Sequence, residues 1–395
     1  MNYNLCTDCE GEITPIDAAL DVLAKLLLKR GIVNSIEEGE IIYKIISGFD
    51  DVTAELVRGT QYSNDLIEKL EYTSGDTLRL IPVFFKALDV TDKELKNIYK
   101  EIGILYPGAE DGAKDIQELL GTELNIISTS WDGFLYSINE GIVPNKNIYG
   151  TPMELDNDKY TLNEAEKKII LDSLKQIKLL NEIVLDESIK RIEDLDLKSY
   201  LDYLIMKGIF FIDFAKIPAV IEIYNDIRPI GSKEKAKAVQ KAAEKAKTPL
   251  DKIICVGDSS TDKNMLELIK ENGGITWTHN GKNSILDSAD FNLMTENYYI
   301  TAPLVAIANS QGKEGLIELA KSWSYNNLLS YLKDSVDDEI YNEMKINLDN
   351  IFVQQETPFS TFTYLPGLDK MQLEQLKDKN EEIRKKLRGE AALIR

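Results

Sequence analysis

Residues 253–262 read IICVGDSSTD, and this stretch decides how the rest of the chain is interpreted. The four apolar residues from Ile253 to Val256 are typical of a strand that is buried on both faces. Gly257 and Asp258 follow at once, and the segment ends at Asp262. A strand that ends in acids places them at the carboxyl edge of a parallel sheet, where ligands bind in open α/β folds.

A second segment of the same kind lies near the start of the chain. A short strand over residues 3–7 is followed by the sequence Asp8-Cys9-Glu10-Gly11-Glu12. Two strands that end in acids can build one site together if they are neighbours in the sheet. Converging carboxylates are typical ligands of a hard cation such as Mg²⁺. The sequence therefore predicts a Mg²⁺ site that contains Asp8 and Asp258.

The remaining pattern alternates strands with helices, which predicts an α/β fold with a doubly wound parallel sheet. Leu124 to Ser130 is a further strand, and it ends in hydroxyl side chains. Two apolar runs, 209–212 and 219–223, suit either strands or short helices, and 358–366 suits an aromatic-rich loop. The predicted parts are an α/β core (1–14, 105–155 and 208–310), a helical cap (15–104), a helical insert (156–207) and a C-terminal helical extension (311–395).

Composition limits the functions that need to be considered. The 395 residues are 43% hydrophobic, which is enough for more than one module. The net charge of −21 disfavours binding to nucleic acid or to an anionic membrane surface. No apolar stretch approaches the ~20 residues of a membrane span, and no charged and then apolar signal segment precedes the first strand. We expect a cytoplasmic protein with no nucleic-acid partner.

Cysteine and histidine are scarce. The three cysteines are Cys6, Cys9 and Cys255, and His279 is the only histidine. The C-x-x-C spacing of Cys6 and Cys9 allows a zinc or redox site, but no second pair accompanies it. Buried small side chains at strand ends are the alternative, which we prefer. His279 is expected in a turn.

The last segment is a charged helix with a sparse apolar stripe. Heptad a and d spacing relates five of its residues, which are Leu373, Leu376, Asn380, Ile383 and Leu387. This stripe suits an ordinary surface helix, and it also suits a coiled coil that binds a protein partner or a second copy of the chain.

The order of these features resembles the four motifs of the haloacid dehalogenase superfamily of phosphatases and phosphotransferases. The matching positions are Asp8-x-Glu10-Gly11, Ser128, Lys233 and Gly257-Asp258-x-x-x-Asp262. Further stretches are similar to an archaeal branch of that superfamily, in which some members carry the name energy-converting hydrogenase A, subunit R; these stretches are 75–81, 107–110 and 126–130. The resemblance implies a Rossmann-like parallel sheet whose cap closes over the site.

The resemblance also implies a role for each matching residue. Asp8 is the expected nucleophile, which forms an aspartyl-phosphate, and Glu10 is the expected acid and base. The expected Mg²⁺ ligands are Asp8, Asp258 and the backbone carbonyl of Glu10. The remaining site residues are Ser128, Thr129 and Lys233 for the phosphoryl group, with Asp262, Gly257 and Ser259 in support. Neighbouring residues offer the same chemistry in three cases, which are Ser130, Lys235 and Lys237.

Two positions depart from the family pattern. Glu10 stands where the family usually has aspartate, and Glu12 stands where it usually has a hydroxyl. We expect a Mg²⁺-dependent phosphatase that acts on a small phosphorylated metabolite, with Arg58 and Arg79 of the cap as candidates for holding an anionic substrate. The alternative is an accessory or regulatory subunit of a larger complex, such as a hydrogenase, that keeps the fold.

Overall fold

The structure is a computed structural model that describes residues 2–185, 188–352 and 360–388. The strands are β1 (Asn4–Thr7), β2 (Asn125–Trp131), β3 (Ile148–Thr151), β4 (Ile253–Gly257), β5 (Ile275–His279), β6 (Phe291–Thr295) and β7 (Ser360–Tyr364). They form one sheet in the order β3-β2-β1-β4-β5-β6-β7. β1 to β6 are parallel, and β7 is antiparallel to β6. The predicted α/β class is confirmed.

Helices occupy most of the chain between the strands. The α-helices are α1 (Ala18–Lys29), α2 (Ile36–Val52), α3 (Asp65–Lys69), α4 (Thr77–Ala87), α5 (Asp92–Ile102), α6 (Ala109–Leu120), α7 (Asp132–Ile138), α8 (Glu164–Ile177), α9 (Leu197–Gly208), α10 (Pro218–Asp226), α11 (Ser232–Ala246), α12 (Lys263–Glu271), α13 (Thr301–Lys321, kinked at Gly312), α14 (Tyr325–Lys333), α15 (Asp338–Phe352) and α16 (Lys370–Arg388). Among the described residues, no helix has the length and hydrophobicity to cross a membrane.

The centre of the sheet is the pair β1 and β4. Cys6 lies opposite Cys255 in this pair, and the backbone N–H of Asp8 continues the ladder to the carbonyl of Val256 at 3.1 Å. Both strands are fully buried, because helices cover both faces of a parallel sheet. Asp8 and Asp258 consequently leave neighbouring strands at the same edge, as predicted.

The helices that follow β1 and those that follow β3 share one aromatic core. Phe84 of α4 packs against Phe210 and Phe214, with ring centroids 6.0 Å apart in each pair, and Phe49 of α2 stacks on Phe210 at 5.5 Å. Residues 209–216 form π and 3₁₀ turns and lead into α10, so the two apolar runs of this region are helical rather than extended. The helical segment therefore continues past residue 207, where the sequence placed its end.

The C-terminal quarter of the chain contributes a strand to the sheet. β7 pairs with β6 along its whole length, and Phe362 stacks on Phe291 with centroids 4.9 Å apart. The prediction of a loop here is wrong for the described residues 360–364, and Pro358 lies outside the described residues. Because this strand is the edge strand of the sheet, residues 311–395 are not simply a helical extension.

The apolar stripe of α16 packs against the chain itself. Leu376 and Ile383 are buried beside Leu286 and Met294. Asn380 is fully buried and exchanges two 3.2 Å hydrogen bonds with Asn292 of β6. The heptad pattern is thus explained without a coiled-coil partner.

Candidate active site

Three carboxylates converge where β1 and β4 end. Asp8, Glu12 and Asp258 are buried, and each offers an oxygen within 4.8 Å of the others. Both carboxylate oxygens of Glu12 lack a hydrogen-bond partner among the described residues. A buried, unpartnered carboxylate is costly unless a cation accompanies it, and an all-oxygen ligand set suits Mg²⁺. The residues present therefore fit a divalent cation. Glu12 is a third carboxylate of this cluster, and the sequence pattern had marked it only as a difference from the family motif.

The pKa shifts report the same crowding of negative charge. Burial raises the pKa of the Asp8 carboxyl; Lys235 opposes this effect and Asp258 adds to it. Burial, followed by Asp258 and Asp8, raises the pKa of Glu12 well above its usual range. Ionisation of all three carboxyls together is unfavourable unless a positive charge enters the cluster.

The lysine in this site is Lys235, not Lys233. Its ammonium, fully buried, donates to Asp262 Oδ1 at 2.6 Å and also to Asp8 Oδ2. Burial by itself would lower the pKa of Lys235, but Asp262 and Asp8 outweigh it and raise that pKa. Lys233 is exposed, and the N-cap of α11 is Gly231 rather than Ser232. Lys235 begins the buried stripe of α11, which continues at Ala238, Val239 and Ala242. This spacing in the sequence could have identified Lys235 as the buried lysine.

Asp262 organises the loop that follows β4. Its Oδ2 accepts from the backbone N–H groups of Asp258 and Ser259, both at 2.9 Å. A Cβ on Gly257 would lie 2.5 Å from the Cβ of Asp262, so only glycine permits this close approach. The predicted supporting residues Gly257, Ser259 and Asp262 are thus brought together beside Asp258.

Hydroxyl groups line the end of β2. Ser128 is buried, and its nearby hydroxyl lowers the pKa of the Asp8 carboxyl. The hydroxyl oxygens of Thr129 and Ser130 are buried and lack a partner among the described residues. All three residues line the cavity above Asp8, so they are placed to donate to an anion there. The sequence alone does not show which of the three hydroxyl groups would bind the anion.

Glu10 faces the same cavity but has a different local partner from the other acids. Its Oε1 accepts from the backbone N–H of Ala18 at 2.9 Å, at the start of α1. A carboxylate is favoured there because the first N–H groups of a helix point outward unpaired. The side chain of Glu10 does not belong to the carboxylate cluster; that its backbone carbonyl is a metal ligand stays a prediction.

The cavity above the carboxylates has a volume of about 480 Å³. One wall of the cavity, formed by the start of α1 and by α2, is rich in acids, which are Asp17, Asp21, Glu40, Asp50 and Asp51. Asp50 is buried, with its Oδ1 unpartnered among the described residues, and burial raises its pKa to about 6. Burial and then Asp50 raise the pKa of Asp51 to about 8. Among the described lining residues, the cationic side chains are Lys44 and Arg384.

Arg384 reaches this site from α16 and was not among the predicted site residues. Its Nη1 donates to Asp258 Oδ2 at 2.8 Å, to the Asp258 carbonyl at 3.3 Å and to the Asn280 carbonyl at 2.6 Å. The side chain is only 3% exposed. Its position four residues after the buried Asn380 gave a weak signal, because that spacing places both on one face of the helix.

The arginines proposed for the cap do not line the cavity. Arg79 is buried, donates to the carbonyls of Ile227 and Leu70 at 3.1 Å, and pairs with Asp76 at 3.4 Å. Arg79 therefore connects the chain at Leu70 to the chain at Ile227. Arg58 is exposed and lies outside the lining of the cavity.

His279 and the cysteines are buried side chains. His279 ends β5 rather than lying in a turn, and burial lowers its pKa to about 4. Its ring packs between Tyr106 and Tyr298, with centroids 6.3 and 6.1 Å away. The three cysteines are free and fully buried, so the preferred interpretation of the C-x-x-C segment is confirmed.

No protein-family model matches the chain, and no curated protein matches it. Its structure is similar to that of gene product AF1437 from Archaeoglobus fulgidus, with a TM-score of 0.70 and 19% sequence identity. The match covers 100% of this chain and 99% of the other. Identity this low shows a common fold alone, because function depends on the site. The same architecture therefore occurs along the full length of a second protein.

Proposed function

We propose that the protein is a Mg²⁺-dependent phosphatase of the haloacid dehalogenase type that acts on a small phosphorylated metabolite. One arrangement carries this proposal: Asp8 lies in a buried carboxylate cluster and is bonded by Lys235, beside Ser128 and beneath a cavity of metabolite size. A scaffold needs neither a buried lysine between two aspartates nor an unpartnered buried Glu12.

Asp8, Glu12 and Asp258 would hold the cation. When bound, Mg²⁺ neutralises charge on the phosphoryl oxygens and so allows a carboxylate to approach a phosphate dianion. Lys235 favours the ionised form of Asp8 and so opposes the effect of burial on the pKa of that carboxyl, because its ammonium bonds to the carboxylate. Ser128, Thr129 and Ser130 lie where their hydroxyls can donate to the phosphoryl oxygens.

The reaction then needs one nucleophile and one proton carrier. An Asp8 oxygen attacks phosphorus, the bond from phosphorus to the ester oxygen breaks, and an aspartyl-phosphate forms. Glu10 would act as the acid that gives a proton to the leaving oxygen. The Glu10 carboxylate next takes a proton from the water that attacks phosphorus, which releases inorganic phosphate and restores both carboxyl groups.

Hydrolysis of para-nitrophenyl phosphate tests the proposal. We expect turnover with Mg²⁺, none with a chelator and only background turnover for Asp8→Asn. Asp287→Asn is the matched control, because Asp287 is an exposed aspartate outside the cavity lining. Turnover that persists in Asp8→Asn would overturn the assignment of the nucleophile. Turnover that does not depend on Mg²⁺ would overturn the assignment of the metal site.

A further inference from the structure

The cavity is short of positive charge at the end where a phosphoryl group would bind. Lys235 is fully buried, bonds to Asp8 and Asp262, and does not line the cavity. Lys44 belongs to α2, in the acidic wall of the cavity. Arg384 is the remaining cationic side chain among the described lining residues, and it lies at Asp258.

The side chain of Arg384 is held in place by hydrogen bonds to two residues. Its Nη1 bonds to Asp258 and to the carbonyl of Asn280, a residue in the left-handed region with φ of 49°. The side chain of Asn280 is itself held by the backbone of Thr295, through bonds of 2.8 and 2.9 Å. A guanidinium held in this way loses little conformational freedom when an anion arrives.

The helix that carries Arg384 is also anchored. Ile383 packs beside Met294, and the buried Asn380 pairs with Asn292 of β6. At the surface, Glu381 accepts from Asn283 at 2.6 Å. The docking of α16 therefore brings a cation to the catalytic edge of the sheet from more than 120 residues further along the chain.

We propose that Arg384 is a phosphate-binding residue, the second cation of the site beside Lys235. This inference rests on the proposed function for the identity of the anion. Arginine presents a planar fork of donors that suits phosphoryl oxygens, and charge-assisted bonds of this kind are the stronger class. A positive charge beside Asp258 opposes metal binding rather than favouring it. The loss of Arg384 should therefore weaken phosphate binding without weakening metal binding.

Direct binding measurements on the full chain test this role. Calorimetric titration with inorganic phosphate in the presence of Mg²⁺ gives the phosphate affinity, and electron paramagnetic resonance with Mn²⁺ gives the metal affinity. We expect Arg384→Gln to lower phosphate affinity about 10- to 100-fold. Arg384→Lys should lie in between, because it keeps the charge and loses the fork. Lys379→Gln removes one charge from an exposed position of the same helix and should change neither affinity.

Three results would overturn the inference. They are a phosphate affinity of Arg384→Gln that equals that of the intact chain, a parallel loss of phosphate and Mn²⁺ binding, or no binding of phosphate by the intact protein. Parallel loss would assign Arg384 to holding Asp258 alone. If Arg384→Gln does not fold, Arg384→Lys gives the same comparison. Absence of turnover together with normal phosphate binding would contradict the proposed function and leave Arg384 in its role.

Discussion

The ammonium of Lys235 lies 2.6 Å from Asp262 Oδ1, and both side chains are fully buried. The same ammonium bonds to Asp8, so one cation joins the loop after β1 to the loop after β4. Removal of one partner from a buried ion pair leaves uncompensated charge, which is far more costly than the loss of a surface pair.

Lys235→Met should therefore lower the free energy of unfolding by about 3–5 kcal/mol. Urea denaturation followed by circular dichroism measures the change. Lys233→Met is the matched control, two residues away on the exposed side of α11, and it should change stability little. Equal effects of the two substitutions would contradict the assignment of Lys235 to the site.

Glu12 makes the stability of the metal-free protein depend on pH. Its pKa is well above the ordinary value near 4.5. As pH rises past that value, the unfolded chain releases a proton that the folded state retains, so the free energy of unfolding falls. Melting temperatures measured from pH 4 to 8 in a chelator should show this decline, and Mg²⁺ should offset it.

Glu12→Gln should make that decline shallower and should also weaken Mn²⁺ binding, because it removes both the ionisable group and a ligand. Glu244→Gln, at an exposed position of α11, should leave both properties unchanged. If Glu12→Gln keeps the full pH dependence and the full Mn²⁺ affinity, Glu12 has no part in a metal site.

Gly257→Ala should disturb the loop after β4. The new Cβ would lie 2.5 Å from the Cβ of Asp262, so that either β4 or Asp262 must shift, at a cost of about 1–3 kcal/mol. Gly208→Ala is the control, because no atom lies within 4 Å of its Cβ position in a helix. We expect Gly208→Ala to be neutral or stabilising in the same denaturation experiment. Comparable losses at both positions would indicate that the contact with Asp262 is unimportant.

The acidic wall of the cavity predicts a preference among substrates. Above pH 6 the carboxylate of Asp50, with the lining acids Asp17 and Glu40, disfavours a second anionic group on the substrate and favours a cationic one. Under the proposed function, the kcat/KM for phosphoethanolamine should exceed that for 2-phosphoglycolate by at least about tenfold. Asp50→Asn should reduce this ratio, and Asp251→Asn, an exposed change, should not. A higher kcat/KM for 2-phosphoglycolate would contradict this interpretation of the wall.

The parts of the site that the sequence predicted are those that local pattern determines. β4 is a short continuous apolar run and β1 is a short strand with an apolar centre, and the acids come directly after both. The choice between Lys233 and Lys235 depended on the exact N-cap of α11, and helix ends are the least certain part of a pattern. Position 235 could have been found from the stripe that it shares with Ala238 and Ala242.

Other features depended on contacts between distant parts of the chain. Residues 360–364 alternate polar and aromatic side chains as a strand does, but the nearby prolines suggested a loop. Their strand forms only because the edge of β6 is available for pairing. Arg384 likewise becomes part of the site only when α16 docks on β6, and its spacing of four residues from Asn380 is the one weak local sign that separates it from the other charged residues of that helix.

The most direct measurement is the capture of the phosphorylated enzyme. The protein is incubated with acetyl phosphate and Mg²⁺, quenched in acid, and mapped by peptide mass spectrometry. We expect one phosphoryl group on the peptide that contains Asp8, absent from Asp8→Asn and from samples with a chelator. A phosphoryl group on another residue, or hydrolysis of acetyl phosphate without any label on Asp8, would contradict the claim that Asp8 is the nucleophile.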